Sequence, residues 1–592
     1  MRIKRGLKIT LLTLLLLGTG VYLLRAPLIT LALDSATAPF IGPHPPFTHS
    51  AQPVQTATVP MRDGTQLHTR LYLPEGPGPW PALLVRDPYQ FARFLTCHYY
   101  VRYGFACVHQ DVRGQGDSQG EWYPIKHESS DGEDTLAWLI AQPWQDGNIA
   151  LVGGSYLGLV QWAVADRLPP QVKTMVPTTS HGDFYRMVYH GGHFAQAIAG
   201  LWSAEIFYPL QDKEDAGKQW LDTVAFARPA AGVDPTLFKG AWRAYADYLA
   251  HPDLTDAYWQ QPFYQQLRNA YKTVSVPVLW IARWHDFFLE GTLQQFVALP
   301  TQRDSVLLIQ PGEHAGKTNQ LPYEHKDFQE FEVTLAWLDH YLRGTPLPAR
   351  LQHRVIYFEN GADRWRSADS WPPPTQTTVW HFANLPAAAQ CGGQLLPGDL
   401  LPEEQAEPPG EPARFTYDPD NPVPTRGGSF LLNPNIAPVA VAEQGDEACQ
   451  RPDVLSFVSP PFAQGLHIAG AIRVDLALSS NAPDTAFTVK ISEVFADGRI
   501  LNIRDDITSL SAYLGRDSSY QPGREVSIGF DLAPIDWTVA AGSKLRVDIS
   551  SSNAPAFPAH SNRTGLWSEI AQADKAQQTL RSGALALPLV RR

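Results

Sequence analysis

The chain has 592 residues, carries a formal net charge of −12 and contains 51 prolines. At about 150 residues per domain it is too long for a single core, and so much Pro excludes a coiled coil, a helical solenoid or an all-helical bundle. Hydrophobic residues at 44 % beside charged residues at 18 % exclude a disordered chain. No Lys/Arg stripe follows the N-terminus, so nucleic acid is not an expected partner.

Residues 1–25 read as a membrane anchor or signal segment. Arg2, Lys4, Arg5 and Lys8 precede an uncharged run over residues 9–24, which as a helix would span roughly 24 Å of a hydrocarbon core about 30 Å thick. The small-x-small site Ala36-Thr37-Ala38 is followed by Pro39, which disfavours cleavage. An uncleaved anchor is therefore expected, with Lys8 and Arg25 reaching the membrane surface. The basic residues before the run place the N-terminus in the cytoplasm and the body outside it, periplasmic or extracellular; secretion after cleavage is the alternative. An exported chain could pair its cysteines, Cys391 with Cys449 or Cys97 with Cys107. Cys107 lies in an apolar run and reads equally as a buried thiol.

Residues 26–52 are Pro-rich and read as a linker. Residues 53–180 alternate strand-like and helical runs: a hairpin over 56–73 around Asp63-Gly64, strands over 82–86, 105–111 and 149–152, and helices over 131–141 and 156–168. The alternation resumes over 271–348, with strands at 276–282 and 306–310 and a helix at 328–342. Such a pattern predicts an α/β fold with a mainly parallel sheet. The intervening residues 181–270 are helical and aromatic, with Trp202, Trp220, Trp242 and Trp259, and read as a cap inserted over the active edge of the sheet. Residues 349–592 show short strand-like runs between Pro and Gly turns, which predicts an all-β sandwich or jelly roll.

The sharpest chemical signal is Gly153-Gly154-Ser155-Tyr156-Leu157-Gly158 between an apolar strand and a helix. A nucleophile elbow needs that context, because a serine on a tight strand-to-helix turn requires small neighbours. Leu157 departs from the generic G-x-S-x-G pattern. A base and an orienting acid should follow in the order Asp, His. Asp286 follows the strand at 276–282 and His314 follows the strand at 306–310, which makes Ser155, Asp286 and His314 the candidate set; the neighbours His285 and Glu313 read as structural. Gly114 and Gly116 read as a turn. His181, His190 and His193 have no grouped cysteines or carboxylates around them, so no metal is expected.

The combined motifs resemble the cocaine esterase / X-Pro dipeptidyl-peptidase superfamily of serine hydrolases. They are Asp111-Val112-Arg113-Gly114-Gln115-Gly116-Asp117-Ser118, Asp131-Gly132, Gln142-Pro143-Trp144, Gly153-x-Ser155-Tyr156-x-Gly158, Tyr417-Asp418-Pro419, Pro422-Val423-Pro424-Thr425, Gly427-Gly428, Arg451-Pro452-Asp453-Val454-Leu455 and Ser550-Ser551-Ser552-Asn553. The resemblance covers about residues 55–592 and implies an α/β-hydrolase domain with an inserted helical cap and a C-terminal jelly roll. It implies Ser155 as nucleophile, Asp286 and His314 as its partners, and the Tyr89 hydroxyl and the Tyr156 backbone N–H as oxyanion donors. Phe288 is implied as an acyl-pocket residue. No cofactor is implied. Arg283-Trp284-His285 and Gly312-Glu313-His314 depart from the family's usual Gly-Trp-Tyr and Gly-Pro-Trp-x-His-Gly.

The expected activity is hydrolysis of an ester or amide acyl bond of a small molecule or peptide through an acyl-enzyme. An Xaa-Pro dipeptidyl-peptidase or an α-amino-acid ester hydrolase is the alternative, and a non-catalytic carbohydrate-binding protein a more distant one. Binding a free α-amino group needs buried carboxylates. The residues after Asp286 are Phe287, Phe288 and Leu289, and residues 184–193 contain no acid, so a neutral acyl group is expected; Glu290 and Asp183 are the acids nearest to hand.

Overall fold

The computed structural model describes residues 44–591 apart from 90–95, 208–219, 222, 234–241, 300–303, 318–319, 322, 385–397, 406–409, 431–436, 446–450 and 517–518. The expected anchor and the Cys391–Cys449 pairing lie outside the described residues. Among the described residues no helix is long and apolar enough to cross a membrane.

Ten strands form the first sheet: β1 Gln55–Pro60, β2 Gln66–Tyr72, β3 Trp80–Asp87, β4 Ala106–Asp111, β5 Gln145–Gly154, β6 Val172–Thr178, then, after a two-residue hairpin (β7 Tyr189–His190, β8 His193–Phe194) in the cap, β9 Leu279–His285, β10 Val306–Glu313, β11 Val355–Glu359 and β12 Arg364–Ala368. Their order is β1-β2-β4-β3-β5-β6-β9-β10-β11-β12, and the run from β4 to β11 is parallel. Parallel strands need both faces covered, and the side chains alternate accordingly. Ala82 and Leu84 of β3 join the core shared with the cap, while Leu83 and Val85 face the opposite core with Val333, Trp337 and Leu338 of the helix Glu330–Arg343. Successive strands move outward from β3 to β4 and then return to β5 on the other side. The order therefore reverses between β3 and β5, and open α/β sheets bind ligands at the C-terminal side of such a switch point.

Three differences from the sequence reading, and one pairing it left open, have local causes. Strands β11 and β12 hydrogen-bond onto β10 and so extend the first sheet, although they lie beyond residue 349. Part of the Pro-rich stretch is docked rather than free: Arg102 covers the Phe47 ring at 3.4 Å, and the N–H groups of Thr48 and His49 donate to Arg102 O. Cys97 and Cys107 form a disulfide, with Cα atoms 5.3 Å apart. The chain reverses at the left-handed Gly104, which sets the helix Thr96–Tyr100 against β4, so Cys107 is not a free thiol. The helix after Ser155 is regular only over Tyr156–Trp162 and continues as turns towards Pro169-Pro170.

Between β6 and β9 lie the cap helices Phe184–Val188, Leu201–Phe207, Arg243–Ala250 and Pro262–Asn269. Among the described residues the C-terminal region is a β jelly roll of twelve strands. Its last strand, Ala576–Val590, pairs with Thr375–Ala383, Ala413–Tyr417, Leu466–Gly470 and Arg473–Ser480. The jelly roll touches the sheet directly. The buried Arg504, on the strand Ile500–Ser509, donates to Trp284 O, and Ala197 N of the cap donates to Ala556 O at 3.1 Å.

Candidate active site

Strand β5 enters the helix Tyr156–Trp162 through Ser155, whose backbone is held at φ 57° and ψ −126°. Side-chain-bearing residues rarely adopt that conformation, and it persists only where its surroundings enforce it. Here Ser155 N donates to Thr178 O of β6 at 2.9 Å, and Ser155 O accepts from Gly158 N at 2.9 Å and Leu159 N at 3.1 Å. A Cβ on Gly153 would lie 2.6 Å from Leu157 Cβ, and one on Gly158 would lie 2.4 Å from Ser180 Cβ. The turn therefore demands glycine at 153 and 158 but accepts Leu157. The Tyr156 hydroxyl accepts from Ile125 N and donates to Glu128 Oε1, both at 2.9 Å. Burial pushes the Glu128 carboxyl up, Arg86 at 3.0 Å opposes this, and the buried chain locks the first turn of the helix.

Tyr89 leaves β3, the neighbour of β5. Its N–H donates to Asp87 Oδ1 at 2.6 Å, and Asp87 Oδ2 meets His109 Nε2 of β4 at 3.0 Å. Its hydroxyl stands 3.5 Å from Ser155 Oγ and accepts from Trp202 Nε1 of the cap at 3.0 Å. Burial pushes the Tyr89 phenol up to about 12, so it keeps its proton at neutral pH.

Asp286 and His314 follow β9 and β10 directly, because both strands end three residues beyond the expected 282 and 310. His314 Nδ1 lies 2.9 Å from Asp286 Oδ1, which also accepts from Phe288 N at 3.2 Å. Asp286 is buried and His314 partly exposed. A carboxylate only accepts, so this contact puts the imidazole proton on Nδ1 and leaves Nε2 as the basic atom. Glu313 accepts from Ala315 N and Lys317 N at 2.8 and 3.0 Å and braces the turn that carries His314. His285 is buried, and desolvation pushes it well down, with Arg504 adding to the effect. Phe288 packs edge-on against buried His181 at 5.1 Å, whereas Phe287 stacks on the His314 ring at 4.7 Å.

Phe287, Trp202 and the jelly-roll residues Asp505 and Asp506 were not legible as site residues. Phe287 adjoins Asp286 in sequence and Trp202 stands among the aromatic residues of the cap, whereas Asp505 and Asp506 carry no local signal. Asp286, Phe287, Arg186 and Glu290 line a narrow cleft together with Arg504, Asp505 and Asp506. Among the described residues, two His/carboxylate groups are close enough to share a cation, His68–Asp111–Asp117 and Glu359–His467–Asp536. Each already has guanidinium partners, Arg70 in the first and Arg364 with Arg366 in the second. The cap histidines do not converge: His190 pairs with Asp506 at 2.8 Å, and His193 packs towards His560.

Residues 63–316 match the X-Pro dipeptidyl-peptidase (S15) family, and residues 350–584 match the X-Pro dipeptidyl-peptidase C-terminal non-catalytic domain. A cocaine esterase from Rhodococcus sp. is 30 % identical over 551 residues, covering 86 % of this chain and 92 % of that protein. In fold, an aminopeptidase from a marine sediment archaeon (Thaumarchaeota) superposes with a TM-score of 0.75 at 21 % identity, over 93 % of this chain and 98 % of that one. An α-amino acid ester hydrolase does so with a TM-score of 0.74 at 20 % identity, over 92 % and 98 %. With both domains matched in order and a 30 % identical relative aligned over most of its length, the chain belongs to the cocaine esterase / X-Pro dipeptidyl-peptidase superfamily and is a serine hydrolase.

Proposed function

We propose that the chain hydrolyses an ester or amide acyl bond through an acyl-enzyme on Ser155. The observation that carries this reading is the strained Ser155 turn facing the Tyr89 hydroxyl, with an Asp286–His314 pair formed on the same edge of the sheet. Ser155 Oγ attacks the substrate carbonyl and gives its proton to His314 Nε2, while Asp286 holds Nδ1–H and stabilises the imidazolium. The carbonyl oxygen, now anionic, accepts from Tyr156 N–H and Tyr89 O–H. The C–O or C–N bond breaks, and the leaving group takes the proton from Nε2. Water then attacks the acyl carbon, with His314 again as base, and releases the acid and free Ser155. A fluorophosphonate probe should label Ser155 in the wild-type chain and leave Ser155→Ala unlabelled; absence of labelling would favour a binding protein.

The acyl group is neutral in this reading. The two acids nearest to hand are already paired: Glu290 Oε1 accepts from Arg186 and Gln294 at 3.0 Å each, and Asp183 lies 3.3 Å from Arg268 and 3.6 Å from Arg186. One observation favours the α-amino-acid alternative, since Asp505 and Asp506 line the cleft beside Phe287. Phenylacetyl and phenylglycyl esters of one alcohol separate the readings. A higher kcat/KM for the phenylacetyl ester at pH 6 is expected, and the reverse would select the amine-binding reading.

In the same proposal the body lies outside the cytoplasmic membrane, tethered through residues 1–25. The Cys97–Cys107 disulfide supports an oxidising compartment. The intact protein should resist carbonate extraction from membranes, and a soluble form beginning between residues 25 and 45 would instead show a cleaved signal.

A further inference from the structure

We propose that Trp202 of the cap is a positioning residue for the oxyanion site: its indole N–H occupies the acceptor side of the Tyr89 hydroxyl and so directs the phenolic proton towards Ser155. The inference rests on the proposed oxyanion role of Tyr89. A phenol has one proton to donate and lone pairs to accept with, whereas an indole N–H can only donate. At the 3.0 Å contact Trp202 is therefore the donor and Tyr89 the acceptor. The Tyr89 proton is thereby turned to the other side of the oxygen, where Ser155 Oγ stands at 3.5 Å. That separation is long for a resting bond, as apo catalytic contacts often are before the transition state tightens them.

The indole is held rigidly enough to aim its partner. Trp202 is 4 % exposed. It stacks on Tyr156 at 6.0 Å and 20°, and meets Trp122 at 5.8 Å, Trp242 at 6.1 Å and Phe184 at 6.2 Å. One cap side chain thus touches Tyr89 through a hydrogen bond and Tyr156 through its ring, and these residues supply both proposed oxyanion donors. A buried indole N–H finds an acceptor, and here that acceptor is the Tyr89 hydroxyl.

Trp202→Phe keeps a ring and deletes the donor, and Tyr89→Phe deletes the hydroxyl. Both singles and the double variant, in the full chain, would be assayed for kcat and KM with a phenylacetyl ester. Loss of one neutral hydrogen bond should lower kcat about 5- to 10-fold in Trp202→Phe, with KM changed less than about twofold. In the Tyr89→Phe background the same substitution should cost less than about twofold, because the group it acts through is gone. An equal loss in both backgrounds, or no loss in wild type, would overturn the proposal while leaving the Tyr89 role intact. If Tyr89→Phe alone leaves kcat unchanged, the oxyanion reading falls and this inference with it. Should Trp202→Phe fail to fold, benzothienylalanine at position 202 keeps the ring shape without the N–H and is read by the same criteria.

Discussion

The two halves of the candidate site are held by different physical means. The nucleophile half depends on backbone: a serine in a strained conformation, glycines at 153 and 158 with no room for a Cβ, and a buried Tyr156–Glu128–Arg86 chain beneath the turn. The acid–base half carries no comparable strain and depends on side chains: Asp286 against His314, Phe287 stacked on the imidazole, and Glu313 bracing the loop. It also leans on the C-terminal domain through Arg504 and Trp284 O. In the first half a substitution that adds atoms should damage the fold, while in the second an isosteric change should damage the chemistry alone.

The largest expected effect is that of Ser155→Ala, which should lower kcat by about 10⁴- to 10⁶-fold with folding retained, and His314→Ala should come close to it because the two act as a unit. Retention of more than about a tenth of the wild-type rate would show a different nucleophile, since loss of such a unit costs far more than that. In the side-chain half, Asp286→Asn should cost about 10⁴-fold in kcat through the wrong imidazole tautomer, with an unchanged thermal midpoint. Tyr89→Phe removes one oxyanion donor, so kcat should fall about 10²- to 10³-fold while KM stays nearly constant; a change confined to KM would make Tyr89 a binding wall.

The backbone half is probed by Gly158→Ala. Its new Cβ would sit 2.4 Å from Ser180 Cβ, and overpacking of this kind costs about 1–3 kcal/mol. A lowered midpoint in calorimetry is expected, in contrast to Asp286→Asn; equal midpoints for the two would erase the distinction between the halves. The smallest effect concerns the contact between cap and jelly roll. Burial by itself would push His190 down, but Asp506 at 2.8 Å outweighs it and raises the imidazole to about 9. A raised folded-state pKa contributes stability that is full below the unfolded value of about 6.5, and this is lost as pH rises through about 9. Asp506→Asn should therefore be less stable than wild type at pH 6, with the gap closing by pH 10 in denaturant titrations. A gap independent of pH would show that the pair does not titrate as described.

Much of the fold was legible in the sequence because it follows from near neighbours along the chain. The apolar runs of β3 to β6 mark a parallel sheet buried on both faces, and the Ser155 turn is visible because a strained strand-to-helix corner must be flanked by small residues. The chain order of Ser155, Asp286 and His314, each just past a strand, is equally a local feature. Boundaries were less secure. Strand β9 begins after Pro277 and runs on to His285, and β10 runs through Gly312 to Glu313, since pairing with a neighbour extends a strand beyond what its own residues favour.

Only the tertiary structure decided which of these local pieces meet. The reversal between β4 and β5 makes β3 and β5 neighbours and thereby sets the Tyr89 hydroxyl beside Ser155. Pairing of β9 with β10 brings Asp286 to His314, and the folding of the cap places Trp202 on Tyr89. Residues 355–368 look like the β-rich region that follows them, yet they complete the first sheet because β10 offered an open edge. The Cys97–Cys107 bridge likewise depended on a reversal at Gly104 that spacing alone left open. Composition and periodicity record what each segment can bury, whereas contacts between segments depend on strand order and packing, which no local run of residues encodes.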